Sequence, residues 1–190
     1  MQKELINQLK ATSEHAFKLL VETYQEKVLN TCYHFLHNKL DAEDLAQEVF
    51  IEVFRSIDHF KEDAQLSTWI YRIAVNKSLD SIRKKKRKKR FAYVMSLTGI
   101  GEVEKELPLP APSNPQVDLE QKERIKILNQ AIDSLPENQK VAITLSKYEG
   151  FSNKEVAEIL GTSLSAVESL IHRAKINLHK KLYQFYEKHF

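Results

Sequence analysis

A chain of 190 residues has room for one or two domains, each with a modest core. Its single cysteine, Cys32, excludes a disulfide framework and suits a reducing cytosol. The net charge of +3 conceals an asymmetry: Arg83 to Arg90, RKKKRKKR, is an unbroken run of eight cations, and setting it aside turns +3 into −5. The start MQKELINQLK is charged where a secretion signal is apolar, and no apolar stretch is long enough to span a bilayer. With four glycines and no alternating strand pattern, the chain is expected to be all-α, located in the cytoplasm and without membrane insertion.

In chain order, the first feature is Cys32, His34 and His37, residue types that ligate metals. On a helix, positions 32 and 34 project about 200° apart and cannot converge on one ion, so neither metal nor cofactor is expected. Next, DAEDLAQEVFIEVFRSI reads as a helix capped by Asp41, with Ala46, Val49, Phe50, Val53, Phe54 and Ile57 forming a buried stripe. Its opposite face carries Asp41, Asp44, Gln47, Glu48 and Glu52, an acidic surface that this pattern alone explains by plain solvation.

A further helix is expected from Ser67 in STWIYRIAVNKSLDSIRKKKR, with Trp69, Ile70, Ile73 and Ala74 inward and Arg72, Asn76, Asp80 and Arg83 on another face. That face leads into the basic run, which seeks phosphates by counterion release; nucleic acid, anionic lipid and bulk solvent all remain open as its partner. Phe60, Trp69 and Tyr71 offer flat surfaces for unstacked bases, although core packing suits Trp69 better. Met95 to Pro115 then holds two of the four glycines and four of the five prolines, which predicts an extended linker. Helical periodicity resumes near Val117 and runs to about Ser134, followed by a helix over Gln139 to Lys147.

The C-terminal stretch FSNKEVAEILGTSLSAVESLIHRAKINL reads as two short helices joined at Gly161. Ser152 with Glu155, and Ser165 with Glu168, have the spacing of capping boxes, and Gly161 accepts the left-handed turn that ends a helix. Val156, Ala157, Ile159 and Leu160, with Leu164, Val167, Ile171 and Ala174, give each helix an apolar stripe. Glu168, Ser169, His172, Arg173 and Lys175 are left on the outside of the second. This is the grammar of a helix-turn-helix, whose second helix enters the major groove; ordinary packing of two helices satisfies the same pattern. The chain contains no nucleophile motif and no phosphate-cradling glycine loop, and no catalytic activity is expected.

Three segments in this order, DAEDLAQEVFIEVF, STWIYRIAVNKSLDSIRKKKR and LPENQKVAITLSKYEGFSNKEVAEILGTSLSAVESLIHRAK, resemble region 2 and region 4 of the extracytoplasmic-function sigma factors of bacterial RNA polymerase. The resemblance covers about residues 12–90 and 119–183. It implies two small helical domains, region 2 over residues 1–91 and region 4 over 119–190, joined by a flexible linker over 92–118 that would thread the polymerase cleft. Asp44, Gln47, Glu48 and Glu52 would dock on core RNA polymerase. His59 to Leu66, HFKEDAQL, would form a pocket for a base flipped from the −10 element.

By the same resemblance, Arg72, Asn76 and Lys77 would contact the −10 strand, while Arg83, Lys84, Lys85, Lys86 and Arg87 would hold its phosphates. Ser169, His172, Arg173 and Lys175 would read promoter DNA at the −35 element. Glu168 stands where such factors often carry a basic residue, Leu170 where they often carry an arginine, and Asp80 places a carboxylate on the −10 face. The implied partners are core polymerase in a one-to-one complex, duplex and melted promoter DNA, and an anti-sigma protein, with the chain itself a monomer. An ordinary transcription factor that never touches polymerase would carry the same final motif and would bind duplex DNA alone, usually as a dimer.

Overall fold

The computed structural model describes residues 2–61, 64–97 and 115–189. Eight α-helices account for most of these residues: α1 (Gln2–Lys10), α2 (Glu14–Leu36), α3 (Lys39–Ser56), α4 (Leu66–Leu97), α5 (Pro115–Asp133), α6 (Glu137–Lys147), α7 (Asn153–Leu160) and α8 (Leu164–His189). No strand occurs among the described residues. The expected all-α class is therefore observed, in two helical domains, α1–α4 and α5–α8.

In the first domain α2, α3 and α4 pack on one another. Leu20, Val28, Phe35, Val49, Val53, Leu66 and Ile70 lie in its core with almost no exposure, recurring at the helical spacing that places them on facing stripes. The hairpin between α2 and α3 needs only His37 and Asn38. His37 adopts the left-handed conformation at φ +53° and ends α2, while the Asn38 side chain accepts from the Asp41 N–H at 3.1 Å and starts α3. Asp41 is therefore not the cap. It sits in the first turn, where a carboxylate favours the positive helix end, and pairs with Lys85. Phe54, expected in the buried stripe, is 48% exposed and meets Phe17 edge-on at its rim.

Helix α4 is apolar on one side as far as Ile82, and then the apolar positions give out. From Arg83 to Arg90 nearly every residue is exposed, because closely spaced cations repel one another and favour solvent. The helix continues to Leu97, beyond the boundary expected at residue 91, and α5 begins at Pro115. The linker expected over 92–118 is therefore helical at both edges, 92–97 and 115–118, and its remainder, 98–114, lies outside the described residues.

In the second domain α8 packs on α5, α6 and α7. Val141, Leu145, Val156, Val167 and Ala174 are buried between them. Buried Gln139 is satisfied by an N–H from Asn177 at 2.8 Å, as a polar group removed from water must be. The two apolar cores are continuous across the boundary between the domains.

Candidate nucleic-acid interface

The helix-turn-helix is built from local chemistry. Glu155 accepts from the Ser152 N–H at 2.8 Å while Ser152 Oγ accepts from the Glu155 N–H at 3.3 Å, so the expected capping box is present. The Ser152 hydroxyl, then its backbone N–H, hold the Glu155 carboxyl below its ordinary range. Gly161 closes α7 at φ +64°, and the Thr162 N–H returns to the Ala157 carbonyl at 3.0 Å.

The second cap differs from the expected one. Ser163, not Ser165, accepts from the Ala166 N–H at 3.2 Å, because the turn after Gly161 is short enough for α8 to start at Leu164. Val167, Ile171 and Ala174 are buried as expected, whereas Leu164, at the helix tip, is 47% exposed. Ser169, His172, Arg173 and Lys175 are exposed together with Glu168. The Arg173 Nε–H donates to the Ser169 carbonyl at 3.2 Å, which places its guanidinium along this face. A helix presenting a hydroxyl, an imidazole, a guanidinium and an ammonium can meet both base edges and phosphates.

The residues expected at the −10 strand separate on α4. Arg72, Asn76 and Arg83 share one face, and Arg72 and Asn76 are exposed there. Lys77 lies about 140° around the helix from Arg72 and turns to α3, 3.5 Å from Glu52 and 4.0 Å from Glu48. The structure therefore joins Lys77 to the acidic stripe, away from the face that carries Arg72 and Asn76. That stripe is otherwise open, with Asp44, Gln47 and Glu48 exposed and Glu52 partly so.

Asp80 pairs with Arg83 at 2.8 Å, so its carboxylate does not stand unpaired on the face of Arg72 and Asn76. Arg83 also pairs with Glu137 of α6, and Lys85 with Asp41. Lys84, Lys86 and Arg87 are exposed. Within the expected base pocket, Phe60 is buried and Leu66 fully so, while Glu62 and Asp63 lie outside the described residues. Phe60 and Tyr71, at 3% and 2% exposure, are core residues and present no face to a base. Trp69 is half-buried with its ring 5.1 Å from that of Phe60.

Sequence patterning missed the boundary between the domains. The Arg72 guanidinium donates to the Glu158 and Ile159 carbonyls of α7 at 2.5 and 3.2 Å. Beside it a cleft of about 740 Å³ opens between Gln65 and Arg72 on one side and Lys154, Glu158 and Thr162 on the other. Farther along, His34 lies 3.7 Å from Glu149, and His37 lies 3.4 Å from Asp133. Burial pushes the Glu149 carboxyl up to about 7 and draws His34 below its ordinary value, His37 adding to the latter. Cys32 is in the core, where burial raises its thiol to about 11. Cys32, His34 and His37 thus face different surroundings, and no group of three metal-ligating side chains occurs among the described residues.

Comparison with known proteins completes the identification. Residues 20–88 match the family model for Sigma-70 region 2, and residues 125–178 that for Sigma-70, region 4. The chain is 35% identical over 186 residues to the ECF RNA polymerase sigma factor SigW of Bacillus subtilis (strain 168), covering 96% of this chain and 97% of that protein. It is 32% identical over 182 residues to the ECF RNA polymerase sigma-E factor of Escherichia coli (strain K12), covering 94% and 92%. Among solved structures, that of CnrH in complex with the cytosolic domain of CnrY shares the fold with a TM-score of 0.67 at 22% identity, over 96% of this chain and 97% of that one. The sigma factor RpoE of Bartonella quintana, solved with the anti-sigma factor NepR, gives 0.60 at 23% identity over 88% and 96%. No helix among the described residues is long and apolar enough to cross a membrane. The chain belongs to the extracytoplasmic-function sigma factors, which bind core RNA polymerase and direct promoter-specific initiation through the −10 and −35 elements.

Proposed function

We propose that α1–α4, residues 1–91 with the remainder of α4, dock on core polymerase through Asp44, Gln47, Glu48 and Glu52 and hold the melted −10 strand with Arg72, Asn76 and the cations from Arg83 to Arg87. Residues 119–190 read the −35 element through Ser169, His172, Arg173 and Lys175, and the stretch between α4 and α5 links the two. Lys77 supports the docking stripe from behind. The observation that carries this reading is the exposed face of α8, where Ser169, His172, Arg173 and Lys175 stand together on the second helix of a capped helix-turn-helix.

Opening then needs no fuel. Unstacking a base costs a few kcal/mol, which contacts to the freed strand offset. With Phe60 and Tyr71 in the core, those contacts rest on the pocket beside Trp69, the Asn76 amide and the phosphates. The chain works in the cytoplasm as a monomer bound one-to-one to polymerase, performs no catalysis itself, and is held in reserve by an anti-sigma protein.

Run-off transcription of genomic DNA from the producing organism, with sigma-free core polymerase, tests the reading. Discrete starts that need the chain, that are lost with Asp44→Lys/Glu48→Lys and that shift preference with Arg173→Ala support it. Unchanged starts with both variants overturn the residue assignment, and duplex binding by the free chain as a dimer favours the ordinary transcription factor.

A further inference from the structure

The carboxylate of Glu168 is exposed on α8 and has no ion pair or side-chain hydrogen bond among the described residues. Its spacing from Ser165 fits a capping box, but the structure gives it no capping task. Ser163 takes the cap, accepting from the Ala166 N–H at 3.2 Å, and the Ser165 hydroxyl lies 3.2 Å from that of Ser163. With α8 starting at Leu164, Glu168 lies past the first turn, and the unpaired N–H groups of a helix start are confined to that turn. His172 and Lys175 follow it along the same side of the helix, within about 60°, while Arg173 turns to the Ser169 carbonyl at 3.2 Å. Glu168 thus stands unneutralised on the face that carries Ser169, His172 and Arg173.

A recognition helix sets the residues of its N-terminal part against base edges. A carboxylate there is repelled by the phosphates that wall the groove, and only a hydrogen-bond donor on a base can offset the repulsion. The major groove offers two such donors, the N4 amino group of cytosine and the N6 amino group of adenine; guanine presents N7 and O6, and thymine presents O4 and a methyl group. The two donors differ in their neighbours. The adenine amino group lies between two acceptors, its own N7 and the thymine O4, so the second carboxylate oxygen meets a lone pair on either side. That of cytosine has the guanine O6 on one side only and a C5–H on the other. Cytosine is therefore the base that a carboxylate tolerates best.

We propose that Glu168 is a base-reading residue of α8, accepting from the N4 amino group of a cytosine in the −35 element. The proposal rests on the assignment of α8 to that element. Glu168 acts by exclusion as much as by attraction, since the same carboxylate opposes guanine and thymine and disfavours adenine. Attraction to the backbone is left to the cations beside it.

The test is initiation by the full chain with sigma-free core polymerase on a promoter found by run-off, with its −35 element randomised and the transcribed templates sequenced. The natural chain should favour cytosine, on one strand or the other, by about tenfold at one position, distinct from the position that Arg173→Ala flattens. Glu168→Ala should make the four bases nearly equal there and raise initiation from templates that carry the other three. Glu168→Gln should move the preference to adenine, because an amide bonds N6 and N7 together. Both substitutions are at an exposed position, so thermal unfolding should match that of the natural chain.

A cytosine preference that survives Glu168→Ala overturns the proposal, and so does a natural chain that favours cytosine at no −35 position. Uniform loss of initiation from all templates with both Glu168 variants also overturns it, assigning the carboxylate to folding or to a polymerase contact. If Arg173→Ala flattens one position and Glu168→Ala none, Glu168 alone is removed from the reading set. If neither variant changes any −35 preference, the assignment of α8 to that element falls as well, which separates the two claims.

Discussion

In the proposed reading, −35 discrimination rests heavily on Arg173. It is exposed on α8 and held along the reading face by its own Nε–H, the geometry from which a guanidinium can bond a guanine edge in two places. Arg173→Ala should cost about 1–3 kcal/mol of discrimination at one −35 position, read as a flattened preference across promoter variants at constant salt. Glu149 makes the opposite point, since it faces protein: His34 and Lys27 of α2 and Tyr71 of α4 surround it. Burial raises its carboxyl from 4.5 to about 7, so the folded chain prefers it protonated. Its contribution is complete below pH 4.5 and is lost as pH rises through about 7. His34, lowered by burial, prefers to be neutral and withdraws support as pH falls below its ordinary value. Glu149→Gln should therefore melt close to the natural chain at pH 5 and higher at pH 8, by roughly 2–4 °C for each kcal/mol recovered. An identical difference at both pH values would remove Glu149 from this role.

At the scale of the element, the helix-turn-helix depends on its turn. Gly161 is at φ +64° with nothing within 4 Å of where a Cβ would lie, so a side chain there meets no clash and only the backbone penalty remains. Gly161→Ala should destabilise by about 1–2 kcal/mol, seen in thermal unfolding. If the penalty is purely local, −35 preference survives in the folded fraction; altered preference would show that the turn also sets the angle of α8. The elements also show where local pattern succeeds. Ser152, Glu155 and Gly161 act within a few residues of themselves, and their roles were legible from spacing alone. Asn38 and Ser163 took the caps expected of Asp41 and Ser165 because each helix starts slightly earlier than the apolar periodicity suggests, and a cap is defined by where the helix starts. Leu164 and Phe54 fit the apolar period yet lie exposed, since a period identifies a face and not how far the neighbouring helix extends.

Across the whole molecule, charge is arranged in blocks: an acidic stripe on α3, cations along the far half of α4, and a mixed polar face on α8. Strand binding should therefore be strongly salt-dependent. Replacing Lys84, Lys86 and Arg87 with alanine should lower the slope of log affinity against log salt by about 2, at roughly 0.7 per single-strand phosphate contact, without changing −35 preference. A slope that stays constant would place these cations away from the DNA. The scale of the molecule also exposes a competition that no single element reveals. Several cations of α4 already have partners in the free chain: Arg72 on α7, Lys77 on the acidic stripe, Lys85 on Asp41 and Arg83 on Glu137. Under the proposed reading, DNA held by Arg72, Arg83 and Lys85 displaces their partners as well as counterions.

The amino-acid sequence alone determined the all-α class, the helix-turn-helix with its glycine turn and the basic run. Each of these follows from periodicity, capping or composition within a short window of chain, where the interactions that decide the outcome are local. Only the tertiary structure decided which cations are engaged, which aromatic residues are core, and how the domains meet. Arg72 reaches Glu158 across 86 positions and Lys140 reaches Phe35 across 105. A bond between groups so far apart leaves no periodic mark, because a cation that caps a distant helix has the same local pattern as one that faces water. Lys140 is the clearest case: its ammonium left solvent because the end of α2, Asp133 and the Phe35 ring together supplied what water would have given it.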